Sequence, residues 1–362
     1  MMDSTQGIKT GLIGFGIAGQ VFHAPVIKAV PGLTLSKVRS HKVEQLEILA
    51  KKYAEATPVA TVAEILDDEA IELVVIATSN DMHFPLTKEA LLAGKHVVVE
   101  KPFTNTSAEA DELIALAKAQ GKLLTVHHNA RWNSDYLTVK RVIQEERVGK
   151  LVSFEARYDR FRNTLKENAW REENLPGSGI LYDLGAHLID QSLQLFGFPT
   201  AINADLRMQR EGAKAVDDFE LILHYPELKV SLKGSMLVKE PTPRYNLFGR
   251  QGNFTKYGID PQEGMLRAGY LPHLIEDWGK EDPTIYGKLN ILQGESDYIT
   301  HIESERGNYP AFYSNVAQAI RGEAPLAVTA TQARNVIRLI ELAEQSWKER
   351  RTLDVTNELL AD

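Results

Sequence analysis

Ile8-Lys9-Thr10-Gly11-Leu12-Ile13-Gly14-Phe15-Gly16-Ile17-Ala18-Gly19 sets a short apolar run directly before glycines spaced G-x-G-x-x-G, and an amphipathic stretch, Ile17–Ala29, follows. A strand, a tight turn and a helix in that order are the setting in which this spacing binds a dinucleotide. Gly14 permits the turn, Gly16 lets the backbone approach a pyrophosphate, and Gly19 lets the helix pack on the strand, while the helix N-terminus offers amides to the phosphates. The plainer alternative is a glycine-rich turn that binds nothing. Outward from this motif, apolar runs at Leu33–Val38, Leu73–Ala77, His96–Val99 and Leu123–Val126 alternate with helical spacing at Lys42–Ala54, Phe84–Ala93 and Ser107–Gln120. That alternation predicts a doubly wound parallel sheet.

After Arg131 the texture changes. Leu228, Val230 and Leu232 alternate with Lys229, Ser231 and Lys233, the period of an antiparallel sheet with two different faces. Leu151–Phe161, Ile202–Met208, Phe219–Tyr225 and Tyr245–Phe248 are companion strands, with helices at Tyr182–Phe196, Pro310–Arg321 and Thr331–Arg350. The fold class expected is α/β: an N-terminal Rossmann doubly wound parallel sheet plus a C-terminal α+β domain with a mostly antiparallel open sheet. The expected division is 1–128 for the dinucleotide-binding domain, 129–330 for substrate binding and oligomerisation, and 331–362 for a helix and tail packing back on the first domain. Leu221, Ile222 and Leu223 in succession predict an apolar sheet face that a second subunit covers, in a homodimer or homotetramer.

Composition narrows the function. Among 362 residues, 41 Lys and Arg face 49 Asp and Glu, a net charge of −8 that disfavours a nucleic-acid partner. The chain has 0 cysteines, which removes disulfides, thiolate nucleophiles and iron–sulfur clusters, so redox chemistry needs a bound organic cofactor. No apolar run approaches the roughly 20 residues of a membrane span, and Met1–Gly7 has no apolar core for a secretory signal, so a cytoplasmic location is expected.

An NAD site usually ends its second strand with an acid that accepts the ribose hydroxyls. Here Ser36-Lys37-Val38-Arg39-Ser40-His41-Lys42 offers no acid, and Arg39, Ser40 and Lys42 suit the 2′-phosphate of NADP(H), unless the cations are merely solvated. Lys101, in Glu100-Lys101-Pro102, follows a strand at the ligand-binding edge of the sheet, where a restrained lysine can join proton transfer. Asp183 and His187 lie four apart on an otherwise apolar helix and share a face. From the residues alone, a helix-start aspartate with a satisfied core histidine and an acid–base pair are equal readings. A metal at this pair is allowed by the spacing, but only His127, His128 and a few carboxylates are there to complete it and hard-metal loops are absent, so none is expected.

Val-Ile-Ala-Thr-Ser-Asn-Asp-Met-His (75–83), Gly-Lys-His-Val-Val-Val-Glu-Lys-Pro (94–102) and Gly-Ser-Gly-Ile-Leu-Tyr-Asp-Leu-Gly-Ala-His-Leu-Ile-Asp (177–190) resemble the Gfo/Idh/MocA oxidoreductase family. Within it, Phe22-His23-Ala24-Pro25, His128-Asn129, Phe161-Arg162, Trp170-Arg171 and Gly307-Asn308-Tyr309-Pro310 resemble the NADP-dependent scyllo-inositol dehydrogenase branch. The likeness runs from about Ile8 to Arg350, with one departure: Ala130-Arg131-Trp132-Asn133 replaces the Arg-Arg-Trp-Asp that close relatives tend to have. The resemblance implies Lys101, Asp183 and His187 as the catalytic set, with no metal. It implies cofactor contacts from Phe15, Ile17 and Ala18 in the glycine loop, from Thr78, Asn80 and His83 after the next strand, from Glu100 and Lys101, and from Asn129, Trp170 and Arg171. Arg131, Tyr158 and Arg160 are expected near the substrate, a cyclic polyol or sugar oxidised or formed by hydride transfer. An aldose or anhydro-keto-sugar reductase, or a non-catalytic NADP sensor, are the alternatives.

Overall fold

The structure, a computed structural model, describes residues 7–40, 42–167 and 169–362. Its first sheet is parallel and runs β3-β2-β1-β4-β5-β6. The strands are β1 (Ile8–Ile13), β2 (Leu33–Arg39), β3 (Thr57–Val59), β4 (Leu73–Ile76), β5 (His96–Val99) and β6 (Leu124–Val126). Strand β3 was not expected from the sequence, because three residues around Pro58 give no period, and it pairs only with β2 at the edge. Helices α1 (Ala24–Ala29), α2 (Val43–Lys52), α3 (Ala63–Leu66), α4 (His83–Leu92) and α5 (Ser107–Gln120) make the crossovers. Thr106 and Glu109 cap the start of α5 reciprocally, and Gly121 ends it at φ +61°. Every residue of β4 is buried, as a strand covered by helices on both faces requires. Strand order reverses between β1 and β4, which opens a crevice at their carboxyl ends.

The second sheet runs β14-β13-β12-β11-β7-β10-β9-β8-β15 and is antiparallel apart from the β7–β10 pair. Its strands are β7 (Leu151–Arg157), β8 (Ala201–Arg207), β9 (Asp218–His224), β10 (Lys229–Ser235), β11 (Tyr245–Gly249), β12 (Gly252–Lys256), β13 (Gly287–Gln293), β14 (Ser296–Ile302) and β15 (Leu353–Asp354). Helices α6 (Ser134–Gln144), α7 (Ala186–Phe196), α8 (Gln262–Arg267), α9 (Pro310–Ile320) and α10 (Ala330–Glu349) complete the chain. Leu221 and Leu223 are fully buried in the core beneath α7 and α10, while Ile222 turns to the other face and is only half-buried. On that face Lys233 and Glu220 pair at 2.9 Å, so it is more polar than the three apolar residues in succession predict.

Helix α10 lies against both sheets. Arg334 binds Asp111 of α5 at 2.9 Å, and Glu341 accepts from the backbone and hydroxyl of Ser107 at 2.7 Å. Farther along, Ser346 Oγ accepts from the Ala204 amide of β8 at 3.2 Å. No described helix is long and apolar enough to cross a membrane.

Candidate active site

The glycine loop leaves β1 at Gly14, where φ is +104° and a Cβ would come within 2.4 Å of the Ala77 carbonyl oxygen. A Cβ on Gly19 would stand 2.2 Å from the Gly14 carbonyl oxygen, so both positions require glycine. At Gly16 a Cβ would meet nothing within 4 Å, and the loop backbone there faces open space. Gln20 fastens the loop from behind, its Nε2 donating to the Phe15 carbonyl at 2.7 Å. Phe15 itself is buried edge-on to Tyr53, whereas Ile17 is exposed and Ala18 half-buried. The predicted helix from Ile17 begins as a π-turn, Gly19–His23, before α1.

At the end of β2, Arg39 is half-buried with its Nε unpartnered, and Lys42 is exposed at the start of α2. The Ser40 hydroxyl already donates to Gln45 at 2.7 Å, so among the three expected phosphate contacts the two cations have the freer polar atoms. Open glycine backbone at the crevice and an orphaned arginine nitrogen fit a dinucleotide. The Rossmann domain is accordingly an NAD(P)-binding one.

Lys101 follows β5 across a bend in which His83 Nδ1 donates to the Pro102 carbonyl at 2.8 Å. Asn80 Nδ2 donates to the Gly177 carbonyl at 3.0 Å, joining the end of β4 to the loop before α7, while Thr78 stands half-buried next to it. Lys101 Nζ donates to Asp183 twice, to Oδ1 at 2.9 Å and to the backbone carbonyl at 2.8 Å. Asp183 lies in a π-turn, Leu181–Gly185, that the sequence predicted as plain helix. Such turns recur at functional sites because the extra residue re-aims a side chain. Burial alone would raise the Asp183 carboxyl, but Lys101, Arg171 and Arg160 outweigh it and hold it well below the usual carboxylate range. His187, on the first turn of α7, is 8 % exposed with Nδ1 buried and unpartnered. Burial first, then Lys101 and His128, push its pKa well below the usual histidine value, so it is neutral. A neutral imidazole beside an ammonium can accept a proton from a hydroxyl that the ammonium polarises.

Behind Lys101 the surroundings reverse. Glu100 is buried, its Oε1 accepting from His23 Nε2 at 2.9 Å and His127 Nδ1 at 2.8 Å, and its Oε2 from the Lys101 amide at 2.9 Å. Burial would raise this carboxyl, but the two histidines hold it well below its ordinary value. Tyr313 and His23 Nδ1 lie 2.5 Å apart, and burial pushes the His23 pKa down to about 4. Both Glu100 oxygens are thus taken up within the protein, while His127 Nε2 stays buried and unpartnered. His23, Glu100 and His127 also have the spacing of metal ligands, and here they hydrogen-bond one another through Glu100 Oε1.

Arg131 binds Asp190 through Nε at 2.8 Å and Nη2 at 2.6 Å, and its Nη1 is shared between the Ala327 carbonyl and Gln332. Its charge is spent inside the protein instead of on a substrate. Asn129 is buried beside it at the end of β6. Beyond β7 the chain stays extended, with Tyr158, Arg160 and Arg162 donating backbone bonds to Lys233, Ser235 and Met236. The Tyr158 and His187 rings lie 6.2 Å apart, Arg160 comes within 3.9 Å of Asp183, and Arg171, stacked 4.7 Å over Trp170, also reaches Asp183 at 3.9 Å. Three residues near the site were not singled out for the pocket. Arg162 shares the alternating face of Tyr158 and Arg160, a legible signal. Arg244, 4.0 Å from the Tyr158 ring centre and bound to Asp135, and His128, whose pKa burial lowers to about 4, come from distant segments.

A Rossmann sheet with a lysine, an aspartate and a histidine converging at its carboxyl edge defines an NAD(P)-binding oxidoreductase. The chain belongs to the Gfo/Idh/MocA family: residues 8–128 match its "NAD-binding Rossmann fold" and residues 140–355 its "C-terminal alpha/beta domain". It is 44 % identical to the uncharacterized oxidoreductase YdgJ of Escherichia coli K12, covering 96 % of this chain and 99 % of that one. It is 41 % identical to the scyllo-inositol 2-dehydrogenase (NADP(+)) IolW of Bacillus subtilis 168, covering 96 % and 95 %. Among solved structures, the yvaA oxidoreductase of Bacillus subtilis superposes with a TM-score of 0.93 at 40 % identity, covering 97 % of this chain and 99 % of that one.

Proposed function

We propose that the protein transfers a hydride between a hydroxyl-bearing carbon of a cyclic polyol or sugar and NADP(H). The observation that carries the reading is His187, neutral and unpartnered at Nδ1, in the electrostatic field of a lysine that Asp183 holds in place. When bound, the nicotinamide supplies the hydride acceptor. His187 takes the hydroxyl proton, Lys101 hydrogen-bonds the same oxygen and stabilises its developing charge, and Asp183 fixes Lys101. NADP preference is supported by Arg39 and Lys42 at the end of β2, with no acid between Ser36 and Lys42, and by the NADP(+) in the name of the B. subtilis relative. The test is NADPH formation or loss over a panel of inositol isomers, aldoses and keto sugars, each repeated with NAD. Turnover of at least one ring polyol or sugar with NADP favoured is the expected result, and equal or better efficiency with NAD overturns the cofactor assignment. Activity confined to keto sugars or aldoses as oxidants identifies a reductase.

The same reading includes a homodimer or homotetramer. Its support is the β13–β14 hairpin, whose Leu292, Tyr298 and Ile299 stand exposed beside the open sheet face. A monomer by light scattering at micromolar concentration overturns it.

A further inference from the structure

The base of the proposed reaction lacks the hydrogen bond that usually aims one. A working imidazole is commonly oriented by a carboxylate or carbonyl bonded to its second nitrogen. His187 makes no side-chain hydrogen bond among the described residues, and its Nδ1 is buried. Its ring packs instead on that of Tyr158, with centroids 6.2 Å apart and planes tilted by 36°, within the range at which aromatic rings attract. The direction of the base therefore depends on where the Tyr158 ring stands.

Tyr158 in turn carries the Arg244 guanidinium 4.0 Å from its ring centroid. Arg244 is buried, yet its hydrogen bonds are incomplete: Nε reaches Asp135 only at 3.3 Å, Nη1 donates to the Arg157 carbonyl, and Nη2 has no partner. A guanidinium one donor short is costly in the interior, and two ring faces offset that cost, Tyr158 and, at 5.0 Å, Tyr245. Tyr245 closes the chain of contacts. Its hydroxyl donates to Gln191 Oε1 at 2.9 Å, and Gln191 stands one turn beyond His187 on α7. The contacts from His187 through Tyr158, Arg244 and Tyr245 to Gln191 thus begin and end on one helix. The backbone pins the same stack to the second sheet, where Tyr158 donates to the Lys233 carbonyl at 2.9 Å and Arg244 to that of Lys256 at 2.8 Å. What meets His187 and Arg244 is the ring of Tyr158, not its hydroxyl.

We infer that Tyr158 and Arg244 are positioning residues: the Tyr158 ring, fixed by the Arg244 guanidinium, holds the His187 imidazole at the angle from which it takes the hydroxyl proton. The inference rests on the proposed hydride-transfer reading and deepens it. With NADP and the polyol or sugar that the panel identifies, Tyr158→Leu at an unchanged Tm should lower kcat by about 10- to 100-fold, the cost of misplacing a reacting group by about an ångström. KM and NADP affinity should stay within a few fold. Tyr158→Phe, which keeps the ring, should recover most of the lost kcat. Arg244→Lys keeps a charge beside Asp135 but loses the planar face, so it should lower kcat by about 3- to 10-fold. It also decides the matter if Tyr158→Leu does not fold. In a His187→Ala background neither substitution should lower the residual turnover further, because both act through His187. A kcat retained in Arg244→Lys and in any folded Tyr158→Leu, a loss carried by KM, or a loss of full size in the His187→Ala background overturns the positioning role and leaves hydride transfer standing. If no compound is turned over, the hydride-transfer reading falls, and proton–carbon correlation spectra of histidine-labelled protein decide the positioning role. The imidazole signal that His187→Ala removes should shift or broaden in Arg244→Lys, where the tyrosine ring and the charge both remain. An unmoved signal overturns the positioning role as well.

Discussion

Two carboxylates flank Lys101, and the protein treats them in opposite ways. Glu100, behind the lysine, receives three hydrogen bonds, from His23, His127 and the Lys101 amide, and is buried. Asp183, in front, is held tightly by one lysine and approached loosely by two arginines, beside a cleft. Buried polar groups that satisfy one another build a scaffold, because each leftover donor or acceptor costs free energy. Groups left partly unmatched at a cleft await a ligand. By this contrast Glu100 is tied into the scaffold, whereas Asp183 and the cations around it border the cleft.

The contrast breaks most clearly at His187. His187→Ala should lower turnover by about 10² to 10⁴, the usual worth of a positioned acid–base group, while NADPH fluorescence titration shows nearly unchanged affinity. Turnover kept within a few fold would put His187 among the structural groups. On the other side of the lysine, Glu100→Ala strands three donors in the interior and should cost about 3–5 kcal/mol of stability in urea unfolding. Glu100→Gln, which keeps an acceptor, should cost less, and equal stability of both variants and the parent would take Glu100 out of the scaffold. A smaller effect is expected at the nucleotide end, where Arg39→Ala should weaken NADP binding about 10- to 100-fold and leave NAD nearly unaffected. Equal losses for the two cofactors would show that Arg39 supports the fold and not the phosphate.

The pH profile sharpens the same contrast. His187 is kept neutral by burial, Lys101 and His128, so its base form persists below the ordinary histidine value of about 6.5. Oxidation should therefore rise with pH on the acid side of 6.5 and be level through neutrality, with the midpoint belonging to the coupled His187, Lys101 and Asp183 set. Initial rates with a midpoint at or above pH 7 contradict this.

Much of the scaffold was legible in the sequence. Strands β1 and β5 and helix α5 fall on their predicted boundaries, because a parallel strand buried on both faces and a capped helix leave strong local signals. The β13–β14 hairpin was not foreseen. Leu289, Ile291 and Leu292 break strict alternation, and the hairpin is largely exposed at the sheet edge, so neither burial period is imprinted on it. Lys101, Asp183 and His187 could be named, and the structure brings Lys101 and Asp183 into contact. Their setting could not, since the partners of Glu100 lie 77 and 27 residues away in sequence. Arg131 shows the converse: a cation expected at the substrate turns inward, because Asp190, one helical turn beyond His187, claims it.

Helix α10 has a consequence for motion. It is bonded at Glu341 and Arg334 to α5 under the first sheet, and at Ser346 to β8 in the second. A single helix bonded to both bodies works against hinge rotation between the two sheets, since any such rotation has to break bonds at one of its ends. Between those two bodies, the segment carrying Trp170, Arg171 and Gly177 is joined to the end of β4 by the Asn80–Gly177 hydrogen bond at 3.0 Å.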